Sequence, residues 1–115
     1  MNRQKTIRGA LLGLTISASL AFAWHVQADD TPPQVIIKTF KYGPQNVTVA
    51  AGTTVTWINK DPEAHTVVDK NGKFRSSALD TDDTFTFTFT EPGTYNFFCS
   101  LHPQMTGMVT VTPKG

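Results

Sequence analysis

The stretch TFTFTFT, residues Thr84–Thr90, alternates threonine with phenylalanine at every position. Successive side chains of a β-strand point to opposite faces, so Phe85, Phe87 and Phe89 share one face and the threonines share the other. A row of aromatic side chains on one face is typical of a strand that packs against a hydrophobic core. The stretch therefore predicts a strand of a sheet that buries one of its faces.

The sequence on either side repeats this kind of segment, with β-branched and aromatic residues between turn residues. Lys41–Gln45, which contains Gly and Pro, is predicted to be a turn. No segment has a helical period over a useful length. Short strands with such turn signals predict an all-β domain, either an antiparallel sandwich or a barrel. The other predicted strands are Gln34–Phe40, Asn46–Ala50, Thr53–Asn59, His65–Asp69, Thr94–Cys99 and Gly107–Thr112.

The N-terminus has the pattern of a secretory signal peptide. Three basic residues precede an apolar run from about Ala10 to Trp24, and Val26-Gln27-Ala28 offers small or apolar residues at the positions that a signal peptidase reads. The apolar run is shorter than the ~20 residues that a spanning helix needs. We therefore expect a signal peptide at residues 1–28, no stable membrane anchor, a periplasmic location, and a single domain at residues 29–115.

Charge argues against a nucleic-acid partner. Without residues 1–28, seven Lys and Arg remain against nine Asp and Glu, a formal net charge of −2 with neutral histidines. These charges are scattered along the chain, whereas nucleic-acid binding normally needs a basic patch. We expect no nucleic-acid partner.

Cys99 is the only cysteine of the chain, so it has no partner for an internal disulfide. In an exported protein such a cysteine indicates an intermolecular bridge, a free thiol or a metal ligand. Its predicted strand places the side chain on the same face as Phe97, pointing inward at the end of the strand. His102 and Met105 follow with the spacing C-x2-H-x2-M.

His65 begins a predicted strand far upstream, but loops at one end of a sandwich gather together. It can therefore meet Cys99, His102 and Met105. Two imidazoles, a thiolate and a weak thioether form the blue-copper arrangement. Structural zinc sites more commonly use several thiolates or histidines, and calcium and magnesium prefer oxygen. Met108 competes with Met105 as the thioether, but it belongs to the last predicted strand.

Two segments carry a family resemblance. FFCSLHPQMTGMVTV, residues 97–111, resembles the copper loop of the cupredoxins, especially those of amicyanin, pseudoazurin and plastocyanin type, and DPEAHTV, residues 61–67, resembles their upstream histidine segment. The resemblance implies a Greek-key β-sandwich of about seven to eight short strands. It implies one-electron transfer between transient redox partners such as a cytochrome or a dehydrogenase, through one mononuclear copper ion that cycles between Cu(II) and Cu(I). The implied copper ligands are His65, Cys99, His102 and Met105.

The same resemblance implies that His102 exposes a ring edge to solvent among apolar neighbours such as Leu101 and Pro103. One position departs from the family pattern, because many cupredoxins have Asn where this chain has Thr66. We expect the Thr66 backbone N–H to point at the Cys99 sulfur and the hydroxyl to reach the backbone of the next residue, Ser100. Such bonds around ligands tune the potential and rigidity of a metal site.

Two other functions use the same ligands. A periplasmic copper carrier or scavenger would deliver the ion to another protein, but the chain has no methionine-rich or histidine-rich tract. A copper enzyme would need further histidine clusters, and the only histidines after residue 28 are His65 and His102. The sequence therefore predicts an exported electron carrier that is a monomer and not an enzyme.

Overall fold

The computed structural model describes residues 32–114 of the chain. This part contains eight β-strands and no helix. The predicted signal peptide at residues 1–28 lies outside the described residues. Between residues 32 and 114, no helix is long and apolar enough to cross a membrane. The strands are β1 (Gln34–Lys38), β2 (Lys41–Gly43), β3 (Asn46–Ala50), β4 (Thr53–Asn59), β5 (Val68–Asp69), β6 (Thr84–Phe89), β7 (Gly93–Phe98) and β8 (Thr106–Thr112).

The strands form two four-stranded sheets, in the orders β2-β1-β4-β6 and β3-β8-β7-β5. This arrangement confirms the predicted all-β, Greek-key sandwich. The expectation of purely antiparallel sheets is wrong for two pairs, because β1 pairs with β4 and β3 pairs with β8 in parallel. A parallel pair cannot be joined by a tight hairpin. In both pairs the chain crosses to the opposite sheet and back between the two strands.

Period-two alternation located the central strands. β3 and β4 have the predicted bounds, and the TFTFTFT strand is β6, which ends at Phe89. The upstream histidine segment differs from the prediction, because only two of its residues form β5. His65 instead pairs with Leu79 in an isolated bridge, with backbone hydrogen bonds of 3.1 and 2.7 Å.

The turn between β1 and β2 also differs from the prediction. A strand up to Phe40 and a turn at Lys41–Gln45 were expected. Lys38 instead pairs with Lys41, so the two-residue hairpin turn is Thr39–Phe40, and Lys41–Gly43 form β2. Both turn residues have positive φ, 54° and 56°, as this turn geometry requires. Asn and Gly usually supply that conformation, which is rare for Thr and Phe. The turn is held by the carboxylate of Asp61, from a different loop.

An aromatic core joins the two sheets. Trp57 of β4 is fully buried, and its ring centroid lies 5.5 Å from Phe97 of β7, 5.7 Å from Phe85 and 6.3 Å from Phe89. Aromatic pairs at such distances stabilise the fold beyond the area that they bury. The phenylalanine row of β6 therefore faces the core, as its alternation predicted. The same packing fixes β7, and Cys99 follows β7 directly.

Gly107 of β8 makes room for the Phe97 ring. A Cβ added at this position would lie 2.7 Å from Phe97 Cε2 and 2.9 Å from the Gln45 carbonyl oxygen. We expect Gly107→Ala to lower the free energy of unfolding by about 1–3 kcal/mol, because the extra carbon displaces a packed ring. Chemical denaturation of the metal-free protein measures this change. Thr110→Ala, on the opposite face of β8, is the control and should cost less than about 1 kcal/mol. A Gly107→Ala cost no larger than that of the control would contradict the packing.

Candidate metal centre

Three of the four predicted ligands come together at one end of the sandwich. Cys99 Sγ lies 3.8 Å from His65 Nδ1 and 3.7 Å from His102 Nδ1. The ligand atoms of these three residues all lie within 4.8 Å of one another. Cys99 and His65 are fully buried, whereas His102 is half-buried. The cluster thus presents one sulfur and two ring nitrogens to a common point.

The loop from Cys99 to Met105 folds back on itself through backbone hydrogen bonds. The His102 N–H donates to the Cys99 carbonyl at 3.2 Å, and the Met105 N–H donates to the His102 carbonyl at 2.9 Å. The Cys99 N–H donates in turn to the Met105 carbonyl at 3.1 Å. These bonds keep both ends of the C-x2-H-x2-M segment together. Met105 is 3% exposed within this loop, whereas the competing Met108 is half-buried on β8.

His65 is oriented by a bond that the sequence analysis missed. Its Nε2 lies 2.8 Å from Oδ2 of Asp61. An ionised carboxylate only accepts hydrogen bonds, so Nε2–H donates and the Nδ1 lone pair remains for a metal. The available signal was a carboxylate four residues before the candidate histidine, but only the folded loop shows that the two side chains meet.

Asp61 is buried and ionised. Burial alone would raise its pKa, but the backbone N–H groups of Phe40 and Thr39, together with the ring of His65, hold the pKa below its ordinary value. These donors lie 2.9, 2.6 and 2.8 Å from the carboxylate oxygens. The site therefore contains a fixed negative charge at the Nε2 edge of the His65 ring, whereas the Nδ1 edge faces Cys99.

Thr66 makes the contacts that the sequence analysis expected. Its backbone N–H donates to Cys99 Sγ at 3.3 Å, and its hydroxyl oxygen accepts the Ser100 N–H at 2.7 Å. The Tyr42 hydroxyl donates to the Thr66 carbonyl at 2.6 Å. Burial, and then the neighbouring charge of Cys99, raise the pKa of Tyr42, which keeps this donor protonated. Thr66 thus ties the upstream histidine segment to the cysteine loop.

Phe40 covers the two imidazoles from outside, a role that the sequence analysis did not anticipate. Its ring meets His65 and His102 edge-on, with centroid distances of 4.9 and 4.7 Å. Phe40 and Leu101 are the exposed large hydrophobic residues of the described chain, at 38% and 51%. Leu101 and the exposed Pro103 flank the half-buried His102 along the chain.

The donor set fits copper. Nitrogen and sulfur donors about 2.0–2.3 Å from a shared transition-metal ion lie roughly 3.5–3.7 Å apart. The observed separations of 3.7 and 3.8 Å between Cys99 Sγ and the two Nδ1 atoms are close to this range. A thiolate with two imidazoles suits a copper ion better than a hard cation that prefers oxygen ligands.

We expect Thr66→Val to lower the free energy of unfolding of the metal-free protein by about 1–2 kcal/mol, because the Ser100 N–H loses its acceptor. The substitution should also change the reduction potential of the copper-loaded protein, since it loosens the link between the two ligand segments. Chemical denaturation and redox titration measure the two effects. Thr66→Ser keeps the acceptor and is the matched control. An unfolding curve and a potential identical to those of the wild type would reject this role for Thr66.

Known proteins are similar to this chain in sequence and in fold. The family model of the cupredoxin-like domain matches residues 10–111 of this chain. Amicyanin of Paracoccus versutus is 34% identical over 93% of this chain and 96% of that protein. A reduced mutant of amicyanin superimposes with a TM-score of 0.66 at 32% identity, covering 74% of this chain and 86% of that one. A Cu-containing nitrite reductase from Thermus scotoductus superimposes with a TM-score of 0.69 at 26% identity, covering 74% of this chain and 23% of that one. The chain belongs to the cupredoxin-like family.

Proposed function

We propose that this protein is an exported one-electron carrier in which His65, Cys99, His102 and Met105 hold one copper ion. The observation that carries the proposal is the position of the buried Cys99 sulfur, 3.7 and 3.8 Å from the Nδ1 atoms of the two histidines. When bound, copper supplies a couple between Cu(II) and Cu(I), and this ligand set is the one used for electron transfer. Similarity to amicyanin over nearly the whole chain supports the same function.

The surrounding residues prepare the site for a change of one charge. The Thr66 N–H donates to the Cys99 sulfur at 3.3 Å and holds it in place. The fully buried His65 excludes water from the inner side of the site. Backbone bonds within the ligand loop and the bridge to Leu79 fix the donor atoms independently of any metal. The donors therefore need little rearrangement when the charge changes.

The half-buried His102 is the proposed point of electron exchange. Phe40 and Leu101 provide an exposed apolar surface beside it. A small contact of this kind suits a partner that binds briefly and leaves, since transient redox complexes have small interfaces. We propose a cytochrome or a dehydrogenase as the class of partner. The predicted signal peptide supports a periplasmic location, and a monomer is sufficient for the function.

Electron transfer explains the site better than catalysis or copper delivery. Among residues 32–114, His65, Cys99 and His102 form the group of histidine, cysteine and acidic side chains that converges, and no second such group does. The similar nitrite reductase is a larger protein, of which this chain covers 23%. Copper delivery needs an ion that leaves readily, whereas buried donors fixed by backbone bonds favour retention.

Stopped-flow mixing of the copper-loaded protein with a reduced c-type cytochrome, and then with an oxidised one, tests the proposal. We expect rapid reduction and reoxidation, with the copper retained in the presence of a chelator specific for Cu(I). No electron exchange, combined with quantitative loss of copper to the chelator, would favour copper delivery and contradict the electron-carrier function.

The assignment of Met105 leads to a separate prediction. We expect Met105→Leu to raise the reduction potential by several tens of millivolts, because loss of a donor disfavours Cu(II) more than Cu(I). About 59 mV corresponds to a tenfold change in the relative affinity for the two ions. Met108→Leu, on β8, is the matched control and should leave the potential unchanged. A shift with Met108→Leu, and none with Met105→Leu, would reverse the assignment.

A further inference from the structure

The carboxylate of Asp61 lies beside the site and is not one of the proposed ligands. Asp61 is 4% exposed. Its Oδ1 accepts the Thr39 N–H at 2.6 Å, and its Oδ2 accepts the Phe40 N–H at 2.9 Å and His65 Nε2–H at 2.8 Å. A carboxylate has lone pairs for all three donors and no proton that would oppose any of them.

We propose that Asp61 is a positioning residue that fixes the His65 imidazole for copper and, through the same carboxylate, holds the Thr39–Phe40 turn over the metal site. This inference rests on the proposed function, because it concerns how the same copper site is set.

The backbone of Asp61 is itself anchored. The Asn59 side chain accepts the Asp61 N–H at 2.9 Å, and its amide group donates to the carbonyls of Glu63 and Leu79, both at 2.8 Å. The Thr81 hydroxyl donates to the Asp61 carbonyl at 2.7 Å. A network with every partner satisfied is rigid. These bonds fix the backbone of Asp61, and the loop therefore holds the carboxylate in position to contact His65.

The turn that Asp61 holds has no favourable conformation of its own. Thr39 and Phe40 have φ values of 54° and 56°, and non-glycine residues in this region carry strain that the surrounding structure must offset. Two hydrogen bonds to one carboxylate supply that support. The result places the Phe40 ring edge-on against both imidazoles, at centroid distances of 4.9 and 4.7 Å. The Asp61 side chain thus orients the buried His65 and also holds the Phe40 ring that packs against the half-buried His102.

An amide at this position cannot replace the carboxylate. Asn has one acceptor oxygen and one donor NH2 group, so Asp61→Asn leaves either Thr39 or the pair of Phe40 and His65 facing a donor. It also removes the negative charge of Asp61, which makes the His65 ring nitrogen a stronger electron-pair donor to a metal ion. A stronger donor favours Cu(II) over Cu(I), because Cu(II) carries the larger charge.

The first experiment measures the affinity of Asp61→Asn for Cu(II) and for Cu(I) by competition with chelators. We expect the Cu(II) affinity to fall about 10–100-fold, as for other partners of metal-bound histidines, and the Cu(I) affinity to fall less. Asp69→Asn is the matched control, because Asp69 is 2% exposed and its Oδ2 accepts the Lys73 N–H at 2.8 Å, away from the ligands. Its two affinities should stay within about twofold of the wild type. Wild-type affinities in Asp61→Asn, or an equal loss in both variants, would overturn the positioning role.

The second experiment needs neither a variant nor copper. In ¹⁵N NMR spectra of the metal-free wild-type protein, we expect His65 to be the Nε2–H tautomer with a slowly exchanging ring proton, unlike the half-buried His102. An Nδ1–H tautomer of His65 would overturn the inference, because Asp61 would then have no ring donor. If the protein proves not to be an electron carrier, this spectrum is unaffected, so the failures of the two proposals are distinguishable.

Discussion

The approach of the buried Cys99 sulfur to two imidazole nitrogens, at 3.7 and 3.8 Å, constrains the rest of the molecule. The three side chains come from two distant segments that must meet at one end of the sandwich. The aromatic packing of Trp57 on Phe97 fixes β7, and Cys99 follows that strand. β1 pairs with β4 within one sheet and β3 pairs with β8 within the other, both in parallel. The fold therefore fixes the relative positions of the donor atoms.

The bonds around the ligands add orientation to this placement. Thr66 connects the histidine segment to Cys99 and Ser100, and Asp61 sets the ring of His65 from the opposite side. These contacts are buried or half-buried. The ion pair between Lys60 and Asp82 is as short, at 2.8 Å, but it is exposed, and exposed pairs contribute little to stability. A site whose donors are held in advance loses little energy to rearrangement when one electron arrives or leaves. Rigidity is thus the property that links this fold to electron transfer.

Period-two alternation was enough to predict the sandwich and the bounds of β3 and β4, because apolar and polar residues alternate between the inward and outward faces of a strand. The cysteine spacing and the family resemblance predicted that His65, Cys99 and His102 would meet, and the contacts of Thr66. The parallel pairings were missed because periodicity carries no information about strand neighbours. The Thr39–Phe40 turn was missed because it has neither Gly nor Asn, and its support comes from Asp61, more than twenty residues away. The role of Asp61 depends on tertiary contacts, so no local pattern shows it.

The visible absorption spectrum and copper content of the folded protein after addition of cupric ion, compared with those of Cys99→Ser, test the central claim most directly. The account predicts one copper ion per chain and an intense visible band from the thiolate, which the variant lacks. A colourless wild-type protein, or a variant that keeps the band, would contradict it.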